Sequence, residues 1–180
     1  MGTTTACVSK IDPDDVPPAV QPTLPGAAQG ACSAAEGLIH PGVFTTFTAK
    51  TPIVNAGFVS CAFDGTLATT PPTSGTVTID IHAIAVRPGG RPPTTADSAG
   101  SQLCGPDTVL EPSQGPRLVE SCVKLDASTV AAAAATELPG RYIIVRVTAT
   151  RDPATPAVGT VDASSFTRRE AIRIARDLPA

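Results

Sequence analysis

The chain of 180 residues contains 15 glycines and 19 prolines, which predict short elements joined by many turns. Charged residues make up 16% of the chain, below the roughly 25% usual for soluble domains, and the net charge is −3. Aromatic residues make up 3%, with no tryptophan, so composition and charge argue against a nucleic-acid-binding surface or an aromatic sugar platform. The length suits one domain with a core rich in alanine.

Residues 1–30 are predicted to form a Pro-rich extended arm or linker, followed by a single α+β domain over residues 31–180. Residues 11–30 contain five prolines, so neither a helix nor a central strand can run through them. Three roles remain open for this arm. It is a disordered leader, a spacer between the domain and a membrane, or an extension across a neighbouring subunit.

The sequence of the first half of the domain predicts one short helix and a β-hairpin. Apolar residues within residues 32–47 recur at helical spacing, although Pro41-Gly42 interrupts them. Residues 55–63 and 75–86 alternate between apolar and polar side chains, which predicts two antiparallel strands joined by a long loop.

The sequence of the second half of the domain predicts two strands with a helix between them. Residues 117–125 are a third predicted strand. Residues 126–138 contain five consecutive alanines, which favour a helix that ends at Pro139-Gly140. Residues 141–150 alternate clearly and are predicted to pair centrally in the sheet.

The C-terminal segment predicts an amphipathic helix that begins at Thr167, because Glu170 lies three residues further on, as in a capping box. The apolar residues after it follow the i, i+3, i+4, i+7 spacing of a helix that packs on one side. The predicted fold class is therefore α+β: a mostly antiparallel β-sheet with a short N-terminal helix and a C-terminal amphipathic helix packed on it.

Five cysteines occur without CxxC or CxH spacing, so we predict no metal site. One interpretation is two disulfides, and we prefer Cys32 with Cys61 and Cys104 with Cys122, although four cysteines allow three pairings. The second bridge would close a Pro/Gly-rich segment that has little apolar surface of its own. The alternative is that all five are reduced, buried thiols.

A search for chemistry finds none of the common nucleotide, dinucleotide, serine-hydrolase, zinc-protease or calcium motifs, and we expect no catalytic residues and no cofactor. The best polar site is Thr78, Asp80 and His82, which alternation in a strand places on one face. There a carboxylate can orient an imidazole, with Cys61 of a neighbouring strand as a nucleophile. The alternative is the solvated side of an antiparallel strand.

A row of arginines is predicted on the C-terminal helix, formed by Arg169, Arg173 and Arg176. Such a row can meet an anionic partner or a lipid headgroup. Glu170 and Asp177 lie beside it, so a solvated face is the alternative. No stretch approaches the roughly 18 consecutive apolar residues that cross a bilayer, and we expect no membrane span.

Several segments follow the Pro/Thr/Ala-rich leader in a distinctive order: Cys32 in GACSAAEGLIHPGVF, Cys61 in SCAF, the strands TVTIDIHAIAV and RYIIVRVTAT, and the helix REAIRIARDL. This order resembles a small domain of unknown function found in actinobacterial envelope lipoproteins, over the span from Cys32 to Leu178. The resemblance implies an extracytoplasmic α+β domain with a disulfide and no known catalysis, which binds a ligand or an envelope partner.

The predicted function is therefore a non-catalytic domain, secreted or anchored in the cell envelope, that binds a ligand or an unidentified envelope protein. This hypothesis predicts disulfides and a monomer. The alternative is a structural protein of a virion or other large assembly, in which the Pro-rich arm contacts neighbouring subunits. That hypothesis predicts reduced cysteines and self-assembly.

Overall fold

The computed structural model describes residues 30–39, 42–84, 111–113, 117, 119–138, 140–150 and 157–179. The predicted arm, apart from Gly30, lies outside these residues, as do Cys7 and Cys104. The elements are α1 (Ala31–Ile39), β1 (Phe44–Ala49), β2 (Ile53–Asn55), β3 (Phe58–Leu67), β4 (Thr73–Ala83), β5 (Glu111–Ser113), β6 (Val119–Leu125), β7 (Thr129–Leu138), β8 (Arg141–Thr150) and α2 (Ala157–Asp177).

The strands form one antiparallel sheet in the order β1-β3-β4-β8-β7-β6-β5, and β2 pairs with β3 beyond the end of β1. The predicted hairpin is confirmed as β3 and β4, and β8 is central, between β4 and β7. The turn from β7 into β8 contains Gly140 at φ +74°, a left-handed conformation that glycine adopts without steric cost. The predicted α+β class, with both helices packed on an antiparallel sheet, is confirmed.

One face of the sheet, here called the covered face, packs against α1 and α2. Its buried residues alternate along the strands, as the period of two requires. The strands supply Val59, Cys61, Phe63, Val77, Ile79, Ile81, Ala132, Ala134, Ile143, Val145 and Val147. The helices supply Ala31, Ala35, Ile39, Phe166, Ala171, Ile174 and Ala175, and Leu178 follows directly after α2. Each fully buried Val or Ile contributes about 1.5–3 kcal/mol relative to an exposed position.

The other face, here called the second face, carries the alternate residues of the same strands. Neither described helix packs on it, and its small apolar cluster of Ala135, Ile144 and Tyr142 is separate from the main core. It includes Phe58, Ser60, Asp64, Thr76, Thr78, Asp80, His82, Ala131, Ala133, Ala135, Tyr142, Ile144, Arg146 and Thr148.

The predicted helix over residues 126–138 is wrong, because this segment forms β7. The Asp126 N–H donates to the Thr129 carbonyl, a turn that leads from β6 into β7. The alanines then pair with β6 on one side and β8 on the other, so the backbone N–H and C=O groups of β7 find hydrogen-bond partners in the sheet. Ala132 and Ala134 lie in the core beneath the helices, where small side chains allow close packing. Tertiary pairing therefore overrides the helical propensity of alanine.

Both predicted helix boundaries also differ from the structure. α2 begins at Ala157, ten positions before Thr167, so the predicted capping box at Thr167 is wrong. Thr167 is fully buried inside the helix and donates its hydroxyl to the Ser164 carbonyl, 3.2 Å away. At the other end of the domain, α1 ends at Ile39 and Phe44–Ala49 form β1, so the helical spacing predicted within residues 32–47 is wrong for residues 44–47.

The predicted disulfide between Cys32 and Cys61 is confirmed, with a Cα–Cα distance of 5.4 Å. It ties α1 to the covered face of β3, and Cys61 is almost fully buried there. Cys122 is also disulfide-bonded. Its predicted partner, Cys104, lies outside the described residues.

Candidate functional site

The predicted polar residues Thr78, Asp80 and His82 share the second face in the middle of the sheet, on β4 between β3 and β8. All three are half-buried. The pairing register brings Ser60 of β3 beside Asp80 and places Arg146 of β8 beside Thr78. The face therefore gathers residues from three strands that are far apart in sequence.

Asp80 is the centre of a hydrogen-bond network. The Ser60 hydroxyl donates to Asp80 Oδ1 at 2.6 Å, and Arg146 Nη1 donates to Asp80 Oδ2 at 2.5 Å. The Asp80 side chain is 13% exposed and that of Arg146 is 32% exposed. A charge-assisted pair in this half-buried setting fixes both side chains better than an exposed pair does. The network holds a carboxylate and a guanidinium in set positions on the sheet.

A row of three rings crosses the sheet beside this network. Phe58, His82 and Tyr142 are in register on β3, β4 and β8. The His82 ring centroid lies 4.8 Å from that of Phe58 and 4.7 Å from that of Tyr142, with the Tyr142 ring stacked at an interplanar angle of 8°. Offset or stacked rings at these distances attract one another beyond the area that they bury. The row forms a half-buried platform, in which the Phe58 ring is tilted by 48° against the His82 ring.

Burial of the ring row changes the acidity of its members. Burial lowers the pKa of His82 below its usual 6.5; the Asp80 carboxylate opposes this shift and Arg146 adds to it. Burial and then Asp80 raise the pKa of Tyr142 above its usual 10.0. Both groups therefore favour their neutral forms near neutral pH.

The candidate catalytic arrangement does not form. Cys61 lies on the covered face, opposite to His82, and its sulfur is in the disulfide with Cys32, which excludes Cys61 as a nucleophile for this site. The Asp80 carboxylate bonds Ser60 and Arg146 rather than the His82 imidazole. The site instead offers a carboxylate, a guanidinium, hydroxyls and ring faces, which are the groups of a binding surface.

A polar pocket at one end of the second face was not predicted. Lys50 Nζ lies 2.9 Å from Asp64 Oδ2, and the Thr76 hydroxyl donates to Asp64 Oδ1 at 2.9 Å. These hydrogen bonds lower the pKa of Asp64 below its usual 3.8, with Lys50 as the larger cause. The pocket has a volume of about 520 Å³ and is lined by Thr48, Lys50, Asp64, Gly65, Thr66, Ser74, Gly75, Thr76 and Thr150.

The predicted arginine row lies on α2 and is partly engaged within the fold. Arg169 and Arg173 both bond the nearly buried Glu170 carboxylate, and Arg173 Nη2 donates to the Leu38 carbonyl near the end of α1. Arg169, Arg173 and Arg176 line one groove, together with Arg168, which was not included in the prediction. The residues are brought together as predicted, and the anionic partner remains a prediction.

Two classes of site can be checked within the described residues. No group of three or more His, Cys, Asp or Glu side chains is placed to hold a metal ion in that part of the chain. No helix described here is both long and apolar enough to cross a membrane.

Comparison of the chain with protein-family models, with curated proteins and with solved structures found no match.

Proposed function

We propose that the chain is a non-catalytic binding domain of the cell envelope, outside the cytoplasm, which holds a ligand or a protein partner on the second face of its sheet. The observation that carries this proposal is the difference between the two faces. Both helices among the described residues pack on the covered face, whereas the second face presents the Asp80–Arg146 pair, the ring row and a polar pocket. Half-buried rings beside fixed polar groups are typical of binding surfaces.

The disulfide supports the proposed compartment. Disulfides such as Cys32–Cys61 persist mainly in oxidising environments, which include the bacterial envelope and secreted proteins. The alternative function, a structural protein of a virion or other assembly, predicts reduced cysteines. The disulfide therefore favours the binding domain.

The compartment is tested by counting thiols. The native protein, purified without reductant and treated with an alkylating agent, should show at most one alkylated thiol in its intact mass, because Cys32, Cys61 and Cys122 are disulfide-bonded and the bridge of Cys122 takes a fourth cysteine. Prior reduction should make all five cysteines of the chain reactive. Five alkylated thiols without reductant would contradict the oxidising compartment and would favour the structural protein of an assembly.

The binding face is tested with matched variants. The full chain is immobilised and exposed to an envelope extract of the source organism, and the bound components are compared between the wild type and Tyr142→Ser. Loss of one ring of the row should reduce retention of a specific component on the order of tenfold. Glu36→Gln, at an exposed position of α1, is the control and should retain it fully. Equal retention by all three proteins would refute the assignment of this face.

A further inference from the structure

A basic groove runs along α2, on a side of the molecule that the proposed function does not use. Its lining residues are Ser165, Arg168, Arg169, Ile172, Arg173 and Arg176, and its volume is about 490 Å³. Their spacing of i, i+3, i+4, i+7, i+8 and i+11 places them on one side of the helix. Four guanidinium groups thus surround one groove, and none of the lining side chains named here is acidic.

Three of the four arginines are held in place by their Nε atoms. Arg169 Nε lies 2.9 Å from Glu170 Oε1, and Arg173 Nε lies 2.8 Å from Glu170 Oε2. The Glu170 side chain is only 8% exposed, so one buried carboxylate orients two guanidinium groups. On the other flank of the groove, Arg168 Nε donates to the buried Ser121 hydroxyl at 3.2 Å.

This anchoring leaves donors for a ligand. A guanidinium carries five N–H donors, and the Nε bond to Glu170 uses one of those of Arg169. The Arg169 side chain is 66% exposed and lies over the Phe166 ring, 5.3 Å from its centroid. A guanidinium already fixed by ion pair and ring loses little further freedom when it binds an anion.

The chemistry of the groove selects an oxyanion. Guanidinium groups bind phosphate and carboxylate oxygens through paired N–H donors. A terminal phosphate carries about 1.5–2 negative charges and three acceptor oxygens in one compact group, which suits several converging guanidinium groups better than a single carboxylate does. We propose that this groove binds a terminal phosphate group, and the same chemistry applies whether the phosphate is free or forms the end of a lipid headgroup.

The test uses the full chain with its disulfides intact and two probes at low salt. Isothermal titration measures binding of inorganic phosphate. Co-sedimentation with vesicles that contain phosphatidic acid, whose headgroup is a terminal phosphate, compared with phosphatidylcholine vesicles, measures binding of an anionic headgroup. Binding of phosphate assigns a free ligand, and binding of the anionic vesicles alone assigns a lipid headgroup. Each of these two results supports the proposal.

Two variants make the test specific to the groove. Ser165→Asp places a carboxylate among the arginines without removing any of their bonds, and Arg169→Gln removes the exposed guanidinium while Arg173 still pairs with Glu170. Each should weaken binding on the order of tenfold. The matched controls are Ser33→Asp on the exposed side of α1 and Lys124→Gln on β6, which should bind like the wild type.

Two results would overturn the proposal. One is the absence of binding to both phosphate and anionic vesicles at low salt. The other is an equal loss of affinity in Ser165→Asp and Ser33→Asp, since this would show a response to net charge and not to the groove. Neither result bears on the second face, whose variants are tested separately.

Discussion

Ile143 and Ile144 are neighbours in β8 and both are fully buried, but they lie on opposite faces of the sheet. Ile143 belongs to the main core between the sheet and the helices. Ile144 belongs to a small cluster with Ala135, against which the half-buried Tyr142 packs. Equal burial therefore does not mean equal surroundings. On the covered face the neighbours are confined between two layers, whereas on the second face the neighbours among the described residues are side chains of the same sheet.

The largest predicted effect tests this difference directly. Ile143→Ala should lower the free energy of unfolding by about 4 kcal/mol, because its neighbours cannot close the cavity. Ile144→Ala should cost about 2 kcal/mol, because Tyr142 has room to move toward the gap. Denaturant unfolding with the disulfides intact measures both values, and Ile143→Val and Ile144→Val serve as milder controls. Equal losses in the two alanine variants would contradict the distinction between the faces.

A second prediction concerns overpacking beneath the helices. Ala134 is fully buried in the core beneath them, so Ala134→Leu should cost about 2–3 kcal/mol through strain. Ala131 lies on the second face and is half-buried, so Ala131→Leu should cost less than about 1 kcal/mol. Thermal and denaturant unfolding measure the loss of stability in both variants. A tolerated leucine at residue 134 would show that the helices do not lie tightly on these alanines.

The alanine strand also shows where sequence and structure diverge. β4 and β8 carry long alternating runs of Val and Ile, and for such residues local preference and tertiary pairing agree. Their faces and the hairpin of β3 with β4 were therefore predicted correctly. The alanines of β7 prefer a helix locally, and only the two flanking strands make them a strand. Propensity within one segment does not contain that information.

The candidate site could be predicted only in part, because alternation within a strand is local information and the pairing between strands is not. Alternation within β4 placed Thr78, Asp80 and His82 on one face, and the structure agrees. The partners Ser60 and Arg146 depend on the registers of β4 with β3 and with β8, which a single strand cannot specify. The pocket around Asp64 required four strands in register, including β1, which was predicted as part of a helix.

A third prediction compares two carboxylates of the second face. Asp80→Asn should lower the free energy of unfolding by about 1–2 kcal/mol, because its half-buried pair with Arg146 and its bond from Ser60 are weakened. Asp64→Asn should cost at most about 0.5 kcal/mol, since Asp64 and Lys50 are about half exposed in their pair. A double-mutant cycle with Arg146→Gln isolates the Asp80 pair, and a coupling energy near zero would contradict it.

The smallest predicted effect is a pH dependence that arises from the ring row. Burial lowers the pKa of His82 in the folded protein below 6.5, so the unfolded chain binds a proton more readily. The stability that His82 contributes should therefore be complete above pH 6.5 and fall as the pH drops from 6.5 to the folded pKa. Below the folded pKa, the loss of unfolding free energy that His82 causes no longer changes with pH. The sign is opposite to that of a histidine stabilised by an acidic partner, because burial outweighs the attraction of Asp80.

His82→Phe is the matched variant, since it keeps a ring between Phe58 and Tyr142 but cannot titrate. The difference in unfolding free energy between wild type and variant, measured at about pH 8 and about pH 5, isolates His82 from other titrating groups. The wild type should lose stability relative to the variant at the lower pH. The chain has two histidines, so loss of one imidazole signal in the NMR spectrum of His82→Phe assigns the other and yields the pKa directly. A folded pKa above 6.5 would mean that Asp80 dominates the ring row, and that the second face carries a positive charge at mildly acidic pH.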